Sequence, residues 1–325
     1  MSAPHDYTGI EQSTRAFLEG LQQNSGPPIY KLSPEQARTV LSGLQAGHVK
    51  RHPTAKIEDR KIPGGPTGEI SIRILRPENS DMKKLPVIMY FHGGGWVLGG
   101  MDTHDRLVRE LANDANAAIV FVNYTPSPEA KYPIPIEQAY AATKWVAENG
   151  QTINVDPSRL AVAGDSVGGN MAIAVTMLAK KRGGEPKINF QLLFYPVTDS
   201  NIDTASYNAY QDGYWLTREA MKWFWDNYTS DQTNRREPTV SPLQASVKDL
   251  KGLPPALIIN GEFDVLRDEG EAYAHKLIDA GVEVRAVRYH GTIHDFVMLN
   301  PISETPAARG AIEQASNMLK NTLAA

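Results

Sequence analysis

The chain has 325 residues, no cysteine and a formal net charge of −4 at pH 7. These facts exclude disulfides, thiolate metal sites and a cysteine nucleophile, and they argue against a nucleic-acid partner, because lysine and arginine form only short clusters. No apolar run approaches the roughly 18 residues that span a bilayer. The opening MSAPHDYTGIEQ lacks the basic and apolar regions of a leader, so a cytoplasmic protein without stable membrane insertion is expected.

Residues 1–50 read as helices without strands. Ser33-Pro34-Glu35-Gln36 is a capping box with proline at the first helical position, opening a helix that stops near Gly47. From about residue 56, strand-like and helix-like segments alternate. EISIRIL (69–75) alternates like a half-exposed strand. LPVIMYF (85–91), AAIVFVNY (117–124), RLAVAG (159–164), FQLLFYP (190–196) and PALIING (255–261) are short, nearly continuous apolar runs, as expected of strands buried on both faces. VEVRAVRY (282–289) is a further strand.

PIEQAYAATKWVAENG (135–150) and EGEAYAHKLIDAG (269–281) read as helices ending at a glycine suited to a left-handed cap. TPAARGAIEQASNMLKNTL (305–323) opens on Thr-Pro, a good helix start. This alternation predicts an α/β fold with a mainly parallel sheet covered on both faces.

Segment 199–237 departs from the rhythm. It holds Trp215, Trp223 and Trp225, three of the five tryptophans of the chain. A helix with aromatics on several faces needs burial on more than one side. The expected organisation is therefore a helical cap from 1–50 and 199–237, over a core built from 51–198 and 238–325.

Within LAVAGDSVGGNMAIAV (160–175), Gly164-Asp165-Ser166-Val167-Gly168 is G-x-S-x-G between a strand and a helix. A serine on such a turn is strained, and the glycines allow close backbone approach. The turn would present Ser166 at the carboxyl end of the sheet, where open α/β folds bind ligands. Gly164 to Gly169 also fits the glycine spacing of a phosphate loop, but Asn170-Met171 follows in place of Lys-Ser/Thr.

YFHGGGW (90–96) ends an earlier strand. Its glycines suit backbone N–H groups aimed into a site, as in an oxyanion hole completed by the residue after the nucleophile. The candidate donors are Gly94, Gly95 and Val167, with His92 orienting the loop. A serine hydroxyl needs a base. Where serine occupies this kind of turn, the acid and then the base follow it in chain order. In RYHGTIHDF the loop residue His294 is preferred to His290. In INGEFDVLRDEG the turn residue Asp264 is preferred to Glu262, and Asp268 and Glu269 begin the next helix.

With FHGGGW, NYTPSPEAKYPIPIEQAY, GDSVGGN, YP at 195–196, FDVLRDEGEAYAHKL and GTIHDF in this order, residues 60–300 resemble the hormone-sensitive-lipase-like (bacterial type IV) esterases of the α/β-hydrolases. The resemblance implies a capped α/β-hydrolase fold, no metal or cofactor, and hydrolysis of a small-molecule carboxylic ester by Ser166, His294 and Asp264. Trp96, Tyr195, Tyr214 and Trp215 are the candidate substrate-lining residues, expected to suit short to medium acyl chains, and a homodimer is the candidate assembly. The same triad would serve an amidase or lactonase, and the same fold a non-catalytic small-molecule binder. Serine in place of aspartate at the nucleophile position speaks against a dehalogenase or an epoxide hydrolase. Val167, Val265 and Asp295 depart from the residues usual in that family, which are alanine, proline and glycine.

Overall fold

The apolar runs become the centre of one sheet. In the computed structural model, which describes residues 5–23, 26–47, 49–80 and 83–324, the strands are β1 (Thr54–Pro63), β2 (Glu69–Pro77), β3 (Leu85–Phe91), β4 (Ala118–Asn123), β5 (Val155–Asp165), β6 (Phe190–Phe194), β7 (Ala256–Phe263) and β8 (Val284–Ile293). The first four residues of the opening segment lie outside the described residues. The strand order among the described residues is β1-β2-β4-β3-β5-β6-β7-β8. β2 runs antiparallel to β1 and β4, and every other neighbouring pair is parallel. Every residue of β3 and β6 is buried, because helices cover both faces of the parallel part.

The helices are α1 (Gln12–Gln23), α2 (Pro34–Gln45), α3 (Met101–Ala115), α4 (Ile134–Asn149), α5 (Val167–Lys181), α6 (Ala205–Tyr210), α7 (Arg218–Tyr228), the single-turn α8 (Gln232–Arg235) and α9 (Val247–Leu250), α10 (Arg267–Asp279) and α11 (Pro306–Thr322). α2 has the expected capping box: Ser33 Oγ accepts the Gln36 N–H, and Gln36 Oε1 accepts the Ser33 N–H. Thr305 caps α11 with Pro306 in its first turn.

Two local features differ from the sequence reading. β1 was not anticipated as a strand. Lys56, Glu58, Asp59, Arg60 and Lys61 obscure any alternation, and these charges suit an unpaired sheet edge. α4 does not end on a left-handed glycine. Gly150 is right-handed (φ −53) and continues into a tight turn that closes at left-handed Asn154. A Cβ at Gly150 would lie 3.1 Å from Val155 Cγ2, so close packing accounts for the glycine. After α10, Gly281 has the expected positive φ of 75°.

Residues 5–47 and the segment between β6 and β7 meet each other. The Tyr7 hydroxyl donates to the Gly213 carbonyl at 3.0 Å, and the Tyr214 hydroxyl to the Asp6 carbonyl at 2.8 Å. Phe17 packs against Trp215 with ring centroids 5.8 Å apart. Beneath them, Trp96 is fully buried and stacks on Tyr228 of α7 at 3.9 Å.

Two polar anchors fix α2 to the sheet side. Arg38 donates to the carbonyls of Val97 and Ser127 and pairs with Glu129 through both terminal nitrogens. Gln45 is buried. Its Nε2 donates to the carbonyls of Thr103 (2.7 Å) and Met298 (3.0 Å), and its Oε1 accepts the Asn300 N–H. Gln45→Leu removes all three contacts, at about 1–3 kcal/mol for each group left buried without a partner. The variant is expected to unfold at a lower temperature than the parent protein, as measured by circular dichroism.

Candidate active site

Ser166 occupies the turn between β5 and α5 at φ 56, ψ −121, a region that costs a non-glycine residue on the order of 1–3 kcal/mol. The flanking glycines are needed for proximity. A Cβ on Gly168 would fall onto the Phe91 carbonyl, and one on Gly164 onto the backbone of Gly168. β3 and the start of α5 therefore touch backbone to backbone, and any side chain would separate them. The turn is held from the other side by the Ser166 N–H, which donates to the Phe194 carbonyl at 2.9 Å.

The register of the last two strands brings the acid and the base together. β7 and β8 shift register between Gly261 and Phe263, so that Phe263 lies opposite Ile293. The next residue on each chain is Asp264 and His294, respectively. His294 Nδ1 donates to Asp264 Oδ2 at 2.7 Å, and His294 Nε2 lies 3.0 Å from Ser166 Oγ. Asp264 Oδ1 accepts the Leu266 N–H at 2.9 Å, which fixes the carboxylate. All three side chains are buried. The loop beyond His294 is pinned by buried Arg106, which donates to the carbonyls of Val297 and Met298 and pairs with Glu110.

Burial disfavours a charged His294, but Asp264, and after it Asp295, outweigh that effect and raise its pKa to about 9. His92 shows the opposite balance. Burial, with His104 adding to it, pushes its pKa down to about 3. His92 is thus a neutral ring whose Nδ1 donates to the Gly93 carbonyl at 2.8 Å, stacked on Tyr124. The alternatives to Asp264 and His294 form a separate pair. His290 is exposed and lies 3.2 Å from Glu262, whose Oε2 also accepts the Gly291 N–H. Glu269 is buried elsewhere, accepting the Thr198 and Asp199 N–H groups, and Asp268 accepts the Ser206 N–H.

Asp165, directly before the serine, is an organiser that the sequence reading did not single out. It is fully buried and accepts from the Tyr90 hydroxyl (2.7 Å) and the Gly93 N–H (3.1 Å), with His104 Nε2 at 3.1 Å. Burial opposes its charge, but His104 and these hydrogen bonds hold its pKa below the ordinary value. Its signal was a lone acid in an apolar run, yet its partners come from β3 and α3, which no local pattern connects. Past Gly93, Gly94 and Gly95 have φ of 106° and 64°. Among the described residues, their N–H groups donate to no protein acceptor. The Val167 N–H is the first of α5 and has no acceptor within the helix.

Ser166, His294, Gly94 and Gly95 open onto a cavity of about 330 Å³. Its walls include Leu18, Ile29 and Leu41 from the N-terminal helices, and Trp215, Met221 and Phe224 from the segment between β6 and β7. Of the four aromatics expected to line it, only Trp215 does so. Trp96 faces away into the stack with Tyr228 and Trp225. Tyr195 is fully buried behind the site, edge-on to His294 at 4.7 Å. Tyr214 packs on Phe263 and borders a separate surface cleft. Large aromatics were expected to face substrate, but Trp96 and Tyr214 join the cap to the core and Tyr195 fills the space behind His294. The aliphatic lining from α1 and α2 was missed, because nothing in those residues separates a cavity wall from ordinary core.

A family model described as the α/β-hydrolase fold matches residues 88–298. The chain is 38% identical to the carboxylesterase NlhH of Mycobacterium tuberculosis, over 83% of this chain and 84% of that protein. It is 34% identical to an ethyl acetate hydrolase of Pseudomonas putida, over 85% and 87% of the two chains. Among solved structures, a thermostable esterase from Pseudomonas putida ECU1011 superposes with a TM-score of 0.96 at 53% identity, covering 99% of this chain and 100% of that one.

The electrostatics of the histidine can be tested directly. In Asp264→Asn the strongest opponent of burial is lost, so the pKa of His294 should fall from about 9. NMR titration of the imidazole reads this shift; an unchanged value would mean that Asp264 does not set the charge of the ring.

Proposed function

The chain belongs to the hormone-sensitive-lipase-like family of α/β-hydrolases and is a carboxylic ester hydrolase, and we propose that Ser166, His294 and Asp264 are its catalytic triad. The observation that supports this most is the continuous relay from Asp264 through His294 to Ser166, with contacts of 2.7 and 3.0 Å, ending on a cavity wall.

In this reading His294 Nε2 takes the Ser166 proton as Oγ attacks the ester carbonyl. The N–H groups of Gly94, Gly95 and Val167 hold the resulting oxyanion. His294 then protonates the leaving alcohol, giving an acyl-enzyme. Water enters, loses a proton to the same nitrogen and releases the acid. Asp264 holds the tautomer with hydrogen on Nδ1 and stabilises the imidazolium that forms in each half-reaction. Val167 contributes its backbone N–H. Its side chain is fully buried and does not border the cavity.

The two helical segments, 1–50 and 199–237, act here as a cap on a core of 51–198 and 238–325. The support is that both contribute walls to a cavity whose floor is Ser166. Largely apolar walls, aliphatic and aromatic, favour an apolar acyl or alcohol group. The volume lies at the small end of the usual range for ligand pockets, about 300–1,000 Å³, which favours short to medium acyl chains.

Ser166→Ala is expected to lower kcat for a p-nitrophenyl ester on the order of 10⁶-fold; near-normal turnover would overturn the assignment. Across p-nitrophenyl esters, butyrate and hexanoate should be cleaved faster than palmitate. Because the base must be neutral, kcat/KM should rise with pH towards a plateau above about 9.

A further inference from the structure

Asp295 has no part in the relay, yet it faces the same cavity. Its backbone is left-handed, with φ of 63°, and its side chain is buried. Oδ2 accepts the Trp215 indole N–H at 2.9 Å, which fixes the rotation of the carboxylate. Oδ1 lies 3.3 Å from His294 Nε2 and, among the described residues, makes no hydrogen bond. The protonated ring can offer its Nε2–H to Oδ1, but in the neutral, reacting form of His294 that donor is gone, and a buried carboxylate oxygen is then unfavourable unless another donor arrives.

The position of Oδ1 identifies that donor. In the free protein, Ser166 Oγ lies 3.0 Å from Nε2. Once Oγ carries an acyl group it has no proton to give, and Nε2 is left to accept from water. A water bound there has a second O–H, and Oδ1 of Asp295 is the acceptor next to Nε2. We propose that Asp295 is the residue that positions the hydrolytic water for deacylation. The inference rests on the reading of Ser166 as the acylated group.

The step balances without any further reactant. The water oxygen bonds to the acyl carbon while one of its protons passes to His294 Nε2. The other proton stays on the oxygen, hydrogen-bonded to Asp295 Oδ1. The tetrahedral intermediate collapses, the carbon–Oγ bond breaks, Nε2 returns the proton to Oγ, and the free acid leaves. Asp295 itself gains and loses no proton. Holding a water by two contacts orients its lone pair towards the acyl carbon, and such orientation is a large part of what an enzyme gives a reacting group.

The test is rapid mixing with p-nitrophenyl butyrate, which has no N–H or O–H of its own to satisfy Oδ1. It is run on the alkaline plateau, where the charge of His294 no longer limits the rate. Asp295→Asn keeps an acceptor for Trp215 but replaces the free acceptor with an N–H donor. Asp295→Gly suits the positive φ and removes the side chain altogether. Both should slow deacylation by about 10²-fold more than they slow the nitrophenol burst, with butyryl-Ser166 accumulating on the quenched protein by mass spectrometry. Deacylation unchanged, or both half-reactions slowed equally, would overturn the role of Asp295 and leave the triad standing. A failure to find acyl on Ser166 in any of the proteins, the parent included, would overturn the triad reading and this inference together.

Discussion

The site depends on one steric constraint: the backbone of β3 must touch the backbone at the start of α5. Gly168 lies so close to the Phe91 carbonyl that a Cβ could not fit between them, and Gly164 is in the same relation to Gly168. This contact brings the glycine-rich loop after β3 and the serine turn after β5 to one place. Strain at Ser166, on the order of 1–3 kcal/mol, is offset by burial of residues 160–165 and 167–179 on either side of the turn. Asp165 then ties the two segments electrostatically, by accepting from Gly93 N–H and the Tyr90 hydroxyl beside His104. The strained turn and the N–H groups that face it are thus parts of one construction.

Two of the buried histidines around the site, His92 and His294, have opposite tendencies. His92 has an aromatic stack and a backbone carbonyl for company, so burial dominates and the ring stays neutral. His294 is flanked by Asp264 and Asp295, so burial is outweighed and protonation is favoured. A ring that only shapes a loop gains from permanent neutrality. A ring that accepts and returns a proton needs a neighbour that stabilises its charged form. Asp264 is bound to Nδ1 and leaves Nε2 free to face Ser166, whereas Asp295 approaches Nε2 itself from the cavity side.

Much of this was legible in the sequence because its signals are local. Continuous apolar runs mark the parallel strands, the G-x-S-x-G pentapeptide marks a sharp strand-to-helix turn, and the triplet of glycines marks a loop that exposes backbone. Chain order places the acid and the base after Ser166, and the turn position of Asp264 and the loop position of His294 guide the choice among several acids and histidines; the structure brings these three side chains together. What was not legible is long-range or ambiguous. The edge strand β1 has charges where alternation would show. The partners of Asp165 are separated from it by 72, 75 and 61 positions in the chain. Trp96 and Tyr195 look like pocket residues by type, but a large aromatic ring serves equally well to seal a cap, as Trp96 does, or to fill the core behind the site, as Tyr195 does, and only the packing decides which role it takes.

The central claim is that Ser166 is made nucleophilic by His294 and opens onto the cavity. The most direct measurement is stoichiometric labelling by an organophosphonate ester, followed by peptide mass analysis. The account predicts one label per chain, on Ser166, with loss of esterase activity in proportion, and a much slower reaction in His294→Gln. Labelling of another residue, or inactivation that leaves Ser166 unmodified, would contradict it.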